Sequence, residues 1–320
     1  MKIQKNGISL GILAYNVEST IRKVIDEVLN LDYPIYIIND FSKDNTSHVL
    51  EEYKNLKNIR IISNFKNYGA GESTRILIKE AKKDNHRYLI KIDGDGQFVL
   101  KDIKKIIKLF ESGNYEFVKS NRFWENGIKG SIPKKRFFGN LLATMFLQVT
   151  TGTNKLYDPL NGLFGISTEI VDDLDTSIYP KRYGYPYFIT SLAVIKNFKT
   201  FQINNTVVYE DQVSNLRSLP VLFTILKLTI YFYTKKINIK KKYGNFQRSA
   251  FFDLVFIWSV LATVFLLLIL FFIYFFAETS LLRLSTILFL VLFNIIFNLI
   301  FFIISFKEEK SIRNTFIERE

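Results

Sequence analysis

Two apolar runs late in the 320-residue chain constrain its fold more than any other feature. From Phe251 to Phe276 the only charge is Asp253, and from Leu281 to Phe306 the only charge is Arg283, each near the start of its run. Both runs exceed the roughly 20 apolar residues that cross a bilayer. Neither shows the polar face that a soluble helix of such length carries, which disfavours the alternative of two buried core helices. Ala277-Glu278-Thr279-Ser280 leaves room only for a tight turn, so the expectation is a two-helix transmembrane hairpin, 251-276 and 281-306. Lys235, Lys236, Lys240, Lys241, Lys242 and Arg248 precede it, and Lys307, Lys310 and Arg313 follow. The positive-inside rule then places residues 1-217 and the tail 307-320 in the cytoplasm, with both termini, on an integral membrane protein (the plasma membrane in a bacterium). Met1 to Asn6 leads straight into a strand-like run, so no secretory signal is expected.

The formal net charge of +13 does not call for nucleic acid, because the cations gather beside the spans and in Lys129 to Arg136. Anionic head groups and phosphate-bearing substrates account for that distribution better. With no cysteine, thiolate metal sites and cysteine nucleophiles are excluded. Ahead of the spans, strand-like and helical periods alternate. Strands are expected at 8–14, 33–38, 59–63, 88–93 and 115–120, with helices after each of the first four. That order implies an α/β fold with a mainly parallel sheet and helices on both faces. Ligands of such sheets sit beyond the carboxyl ends of strands, where Asp40 and Asp93 fall. A further strand is expected near 201–209, after a helix at 137–150 and a turn-rich loop at 157–162. Within a juxtamembrane segment 218-250, Pro220 to Tyr233 reads as a helix lying in the membrane interface, with a core helix as the alternative.

Chemistry concentrates in Asp93-Gly94-Asp95-Gly96-Gln97. Two carboxylates one residue apart on extended chain point to one side. Hard oxygen ligands between small glycines suit Mg²⁺ or Mn²⁺ that also holds a diphosphate. Asp-Gly-Asp-Gly is also ordinary turn chemistry. Its place at a strand end, beside Asp40 and Gly69-Ala70-Gly71, favours the metal reading.

With these residues in view, the chain resembles the family 2 glycosyltransferases, and within them the branch of dolichol-phosphate and undecaprenyl-phosphate sugar transferases. Ala14-Tyr15-Asn16 with Glu18 is similar to the family's nucleotide-contacting loop after strand one. Asn39-Asp40-Phe41-Ser42 is similar to its Asp-Asp-Gly-Ser loop, with Asn39 and Phe41 as departures; Asp40 is then a base or ribose contact, or else a turn aspartate. Asn64 to Gly71 looks like the loop whose glycines, Gly69 and Gly71, let a phosphate-bearing ligand approach a helix N-terminus. Asp93, Asp95 and Gln97 resemble the metal motif. Arg122, Arg136 and Asn140 resemble the positions that hold a lipid phosphate, where guanidinium forks make chemical sense, although a basic surface would read the same way. Asp158-Pro159-Leu160-Asn161-Gly162 is similar to a loop in which Asp158 contacts the donor sugar, and Tyr209 to Leu216 resembles a closing segment that brings Ser214 to the acceptor.

The resemblance implies a GT-A-like domain that passes a hexosyl unit, with inversion, from a UDP- or GDP-sugar to a polyprenyl phosphate. A phosphomonoester acceptor needs no base, because its second pKa is about 6. A hydroxyl acceptor, in polysaccharide or glycolipid synthesis, would need one. Glu210-Asp211 is the pair open to that role. A non-catalytic membrane scaffold is the other rival. Asn294 and Asn298 share a helix face in the second span, where interhelical hydrogen bonds are expected, and the spans are compatible with a homo-oligomer.

Overall fold

The computed structural model describes residues 7–123, 134–205, 218–242, 247–276 and 281–319. Strands β1 (Ile8–Ala14), β2 (Ile35–Asn39), β3 (Ile59–Ser63) and β4 (Tyr88–Asp93) alternate with helices α1 (Ile21–Leu29), α2 (Thr46–Glu51), α3 (Ala70–Lys83) and α4 (Leu100–Glu111). β1 and β2 are buried along their whole length, as strands covered on both faces must be. The helices supply the covers: Ile21, Val24, Ile25 and Val28 on α1, and Ile103, Ile106, Ile107 and Phe110 on α4, recur at helical spacing and enter one core.

After β5 (Phe117–Asn121) and α5 (Lys134–Thr151) comes β6 (Phe164–Ser167), a strand the sequence reading does not contain. Four residues interrupted by Gly165 are too few to show a period. α6 (Tyr185–Ile195), β7 (Thr200–Asn204), α7 (Ser218–Lys242), α8 (Gln247–Phe276), α9 (Leu281–Arg313) and β8 (Ile317–Arg319) follow. The sheet order is β3-β2-β1-β4-β6-β5-β7-β8. All neighbours are parallel except β6, which runs antiparallel to both β4 and β5. Two reversals restore direction, so β5 points the same way as β4. The carboxyl ends of β1, β2, β4 and β5 therefore share one edge of the sheet with the entry to β6.

Two compact units make up the chain, Met1–Phe232 with Thr315–Glu320, and Tyr233–Asn314. Within the expected tail 307-320, Ile317–Arg319 pairs with β7, Tyr115 donates to Glu318 at 2.6 Å, and Lys155 Nζ donates to the Ile317 carbonyl at 2.6 Å. The division between the units falls inside α7, within the segment 218-250. In the first unit α7 buries Val221, Ile225, Leu228 and Phe232 and leaves Phe223, Leu226 and Ile230 exposed as an apolar stripe.

In the second unit α8 and α9 lie antiparallel. Ser249 meets Ser305 near one end, and Asn298 bridges Ser259 and Thr263 further along. Both helices are long and apolar enough to cross a membrane, and their apolar side chains are mostly exposed, Trp258 at 71% and Phe289 at 67%, which is not how a soluble core helix sits. Lys236 and Lys240, two of the positive charges that precede the first span, are buried. Lys240 Nζ lies 2.6 Å from Asp253 and 2.7 Å from Glu309, and Lys236 Nζ lies 3.0 Å from Glu309. The two carboxylates draw these lysines inside the bundle because neither sign could be buried alone. The tight turn expected at 277–280 lies outside the described residues.

Candidate active site

Asp93 ends β4 in register with Leu13, and the chain turns at once, with the Gly94 N–H donating to the Leu13 carbonyl at 2.8 Å. Lys91, two residues back and hence on the same face, gives its Nζ to Asp93 Oδ1 although it is itself fully buried. Burial works against the Lys91 charge, but the Asp93 carboxylate more than offsets it and raises the ammonium above its ordinary value. Asp95 lies in the turn rather than on extended chain, with Oδ1 accepting from the Gln97 N–H at 3.1 Å. Burial, and then the Asp93 charge, push its carboxyl up to about 6. Two close carboxylates in which one resists ionisation are a donor set that a divalent cation would satisfy. Among the described residues no cluster of three or more His, Cys, Asp or Glu side chains could enclose such an ion, so it would fill its shell with water and diphosphate oxygens, as Mg²⁺ and Mn²⁺ do.

The loops after β1 and β2 are stitched to each other. The Asn16 N–H donates to Ser42 Oγ at 3.1 Å, the Lys43 N–H to Asn16 Oδ1 at 2.7 Å, and the Asn45 N–H to Glu18 Oε2 at 2.7 Å. The side chains of Asn16, Glu18 and Ser42 thus shape the loop beside Ala14. Tyr15, 47% exposed, stands clear of them. Asn39, a departure from the family's aspartate, both accepts from the Ser42 N–H and donates to Ser47, which a carboxylate could not do. Asp40 is buried and already engaged. Its oxygens accept from Asn64 Nδ2 at 2.8 Å, the Tyr68 N–H at 2.9 Å and the Gly69 N–H at 2.8 Å.

Gly69 and Gly71 were expected to admit a phosphate. What approaches them is the chain itself. A Cβ at Gly69, where φ is +95°, would lie 2.6 Å from the Lys181 carbonyl oxygen, and one at Gly71 would collide with the Pro180 carbonyl. The Glu72 N–H at the start of α3 donates to that Lys181 carbonyl at 3.0 Å. The segment at 180–182 therefore takes the place at this helix N-terminus where a ligand was expected.

At the end of β5, Arg122, Asn140 and Asp158 form one cluster. Asp158 is fully buried and accepts from Arg122 Nε at 2.7 Å, Nη2 at 2.7 Å, the Arg122 N–H at 3.0 Å and Asn140 Nδ2 at 2.7 Å. Burial works against the Asp158 charge, but the Arg122 guanidinium holds the carboxyl below its ordinary value. With both oxygens filled by Arg122 and Asn140, Asp158 anchors the Arg122 guanidinium. Beside it, Lys119 is fully buried with Nζ donating to the Asn161 carbonyl at 2.6 Å; burial lowers its pKa to about 7, against the pull of Asp158. Arg136 lies on α5 with its side chain outside the described residues, and Glu210, Asp211 and Ser214 lie outside them altogether.

Three participants lie inside the motifs but were given no role of their own: Lys91, Lys119 and Gly162. A lysine amid an apolar central strand, as in Tyr88-Leu89-Ile90-Lys91 and Phe117-Val118-Lys119, is the signal that could have found the first two. Lys91 and Lys119 both pair in register with Phe164 and so flank β6 on one face. Gly162 shows only as contact: a Cβ there would fall within 3.0 Å of Asp93 Oδ2 and lie 3.0 Å from Lys91 Nζ. The 158–162 loop thus touches Arg122 at one end and Asp93 at the other.

Comparisons with known proteins agree with this arrangement. An uncharacterized protein of Methanocaldococcus jannaschii is 29% identical over 229 residues, 69% of this chain and 96% of that protein. A UDP-N-acetylglucosamine--dolichyl-phosphate N-acetylglucosaminyltransferase of Methanococcus voltae is 28% identical over 190 residues, 55% of this chain and 75% of that protein. Among solved structures, a mycobacterial protein superposes with a TM-score of 0.53 over 69% of this chain and 74% of its own, at 16% identity, a likeness of fold. The profile described as "Glycosyl transferase family 2" matches residues 9–175, more than half of the chain, from β1 through β6 and including the loops after β1, β2, β3 and β4 and the 158–162 loop. The GT-A-like sheet with its carboxylate edge is therefore that of a glycosyltransferase, and the chain belongs to glycosyl transferase family 2.

Proposed function

We propose that this glycosyltransferase moves a hexosyl unit from a UDP- or GDP-linked sugar to a polyprenyl phosphate, undecaprenyl or dolichyl phosphate, with Mg²⁺ or Mn²⁺ and with inversion. The observation that carries the reading is the Arg122 guanidinium, fixed by a buried carboxylate at the sheet edge that also bears Asp93 and Asp95. A guanidinium whose Nε and Nη2 are held by Asp158 places its positive charge in one fixed position, which is what aligning an acceptor phosphate for in-line attack at an anomeric carbon requires. Asp93 and Asp95 hold the cation, which neutralises charge on the departing diphosphate. Gln97 shapes the turn that presents them, and Tyr15 offers an exposed ring to the base. Arg136 and Ser214 belong to the same acceptor role.

The dolichyl-phosphate transferase relative supports a lipid phosphate and makes UDP-N-acetylglucosamine the first donor to try. Topology supports a membrane hairpin. β7 and β8 are neighbours in one sheet, with α8 and α9 between them in sequence, so a chain that leaves and rejoins that sheet crosses a bilayer an even number of times. The positive flanks favour the cytoplasmic side.

The test is a panel of nucleotide sugars offered to membranes bearing the protein and polyprenyl phosphate. A lipid-phosphate sugar cleaved by mild acid is the expected product, abolished by Asp93→Asn and Asp95→Asn. An acid-stable glycoside would overturn the reading in favour of a hydroxyl acceptor.

A further inference from the structure

A buried, unpaired ammonium is among the costliest features a fold can carry. Lys91 is fully buried in the central strand β4, in register with Gly11 of β1 on one side and Phe164 of β6 on the other, neither of which offers it a negative charge. Among the described residues Asp93 is the carboxylate it pairs with, through Oδ1. Its Nζ also lies 5.5 Å from the centre of the buried Tyr185 ring. Gly162 closes a further side, since a Cβ there would lie 3.0 Å from Nζ. Packing and charge together hold the ammonium against Asp93.

The consequence falls on the carboxylate. Asp93 Oδ1 is committed to Lys91, while the side chain stays 30% exposed and keeps Oδ2 for a cation. Lys91 also changes the charge that such a cation meets. Asp93 and Asp95 alone would present two negative charges; with the ammonium held against them the three groups present one. A divalent ion overshoots that charge, and a diphosphate brings negative charge back. In a partly desolvated site the mismatch is strongly felt, because an ammonium separated from a cation by a single carboxylate shifts its binding by more than about tenfold. A lysine that served packing alone would act in the opposite sense, since its removal would loosen Asp93 and weaken the ion.

We infer that Lys91 is a positioning residue that fixes Asp93 and holds down the site's affinity for a bare divalent cation, so that the cation is retained together with the donor's diphosphate. The inference rests on the reading of Asp93 and Asp95 as metal ligands. Its test measures binding rather than turnover. Mn²⁺ is titrated into the full chain in neutral detergent at neutral pH, alone and with saturating UDP or GDP. Free Mn²⁺ is read by electron paramagnetic resonance and corrected for the ion that nucleotide chelates in solution. Wild type should bind Mn²⁺ about tenfold or more tighter with one of the nucleotides, and Mn²⁺ should raise that nucleotide's affinity by the same factor. Lys91→Met removes both charge and hydrogen bond, whereas Lys91→Gln removes the charge and keeps a donor for Asp93 Oδ1. Both variants should bind Mn²⁺ alone about tenfold or more tighter than wild type and lose most of the gain from nucleotide. Lys91→Gln and the wild-type coupling decide the matter even where Lys91→Met fails to fold. Variants that bind Mn²⁺ alone no tighter than wild type, or a wild type that gains nothing from nucleotide, would overturn the inference and leave the metal reading standing. A wild type that binds no Mn²⁺ with either nucleotide would overturn both.

Discussion

Gly162→Ala tests the site at its tightest contact. Gly162 has no left-handed backbone strain to protect, so the added methyl acts through space alone. To bring Asp93 Oδ2 from its present place to ordinary contact at 3.4 Å, the carboxylate must retreat by roughly 1 Å. It cannot swing alone, since Lys91 Nζ is bound to Asp93 and sits 3.0 Å from the same methyl. Overpacking of this kind costs about 1–3 kcal/mol of stability. At about 2–4 °C per kcal/mol, Tm should fall by no more than roughly 12 °C. A reacting group displaced by about 1 Å costs on the order of 10²-fold in rate, so turnover should fall far more than stability. The assay is initial transfer rate against Mg²⁺ or Mn²⁺ concentration beside a thermal melt, with Gly139→Ala as control because nothing lies within 4 Å of a Cβ there. Wild-type turnover with an unchanged metal requirement in Gly162→Ala would refute the assignment of Asp93 to the metal.

Other perturbations follow from the buried charges. Asp158→Ala leaves the Arg122 guanidinium without its anchor, and removing one partner of a buried pair costs about 3–5 kcal/mol, read as a loss of Tm in the full chain. Lys119 has a pKa near 7 in the native state against about 10.4 unfolded, so between those values the unfolded chain binds the extra proton and stability rises with pH. Lys119→Met should remove a rise of up to about 1.4 kcal/mol per pH unit, and parallel wild-type and variant curves would contradict that account. In the second unit, Asp253→Asn strips Lys240 of one of its two carboxylates and should lower the unfolding temperature in detergent, whereas Arg248→Gln, at an exposed pair, should not.

Much of the fold was legible because its helices bury one face and its central strands are apolar along nearly their whole length. β1 to β4 and their helices repeat strand and helix with apolar positions that nothing but a doubly covered parallel sheet would need. β6 and β8 were not legible, for a physical reason. Four and three residues carry no period, and both strands are recruited by an existing edge rather than by their own pattern. The site divides the same way. Asp93, Asp95 and Arg122 are chemical types whose cost of burial advertises them. The spacing of Asp40, Asp158 and the two glycines was visible too, but not the identity of their partners. Asp40 is taken by backbone N–H groups 28 and 29 residues on, and Asp158 by an arginine 36 residues back. Such partners are set by where strand ends meet, and one strand's sequence cannot state that.

That occupancy bears on the acceptor. Asp40, Asp44 and Asp158 spend both oxygens on the protein's own donors, whereas among the described residues Asp93 and Asp95 each engage only Oδ1, which leaves their Oδ2 atoms as the carboxylate oxygens at this edge suited to an external cation. A hydroxyl acceptor would require one more carboxylate to take its proton, and Glu210-Asp211 is the pair the sequence offers. A phosphate acceptor requires none. Glu210→Gln/Asp211→Asn therefore separates the two chemistries in a single variant. With polyprenyl phosphate as acceptor, its kcat should stay within about threefold of wild type, and its pH profile between 6.5 and 8.5 should keep the same shape. A loss on the order of 10²- to 10⁴-fold, the usual worth of a general base, would mean that a proton is being removed from the acceptor and that the phosphate reading is wrong.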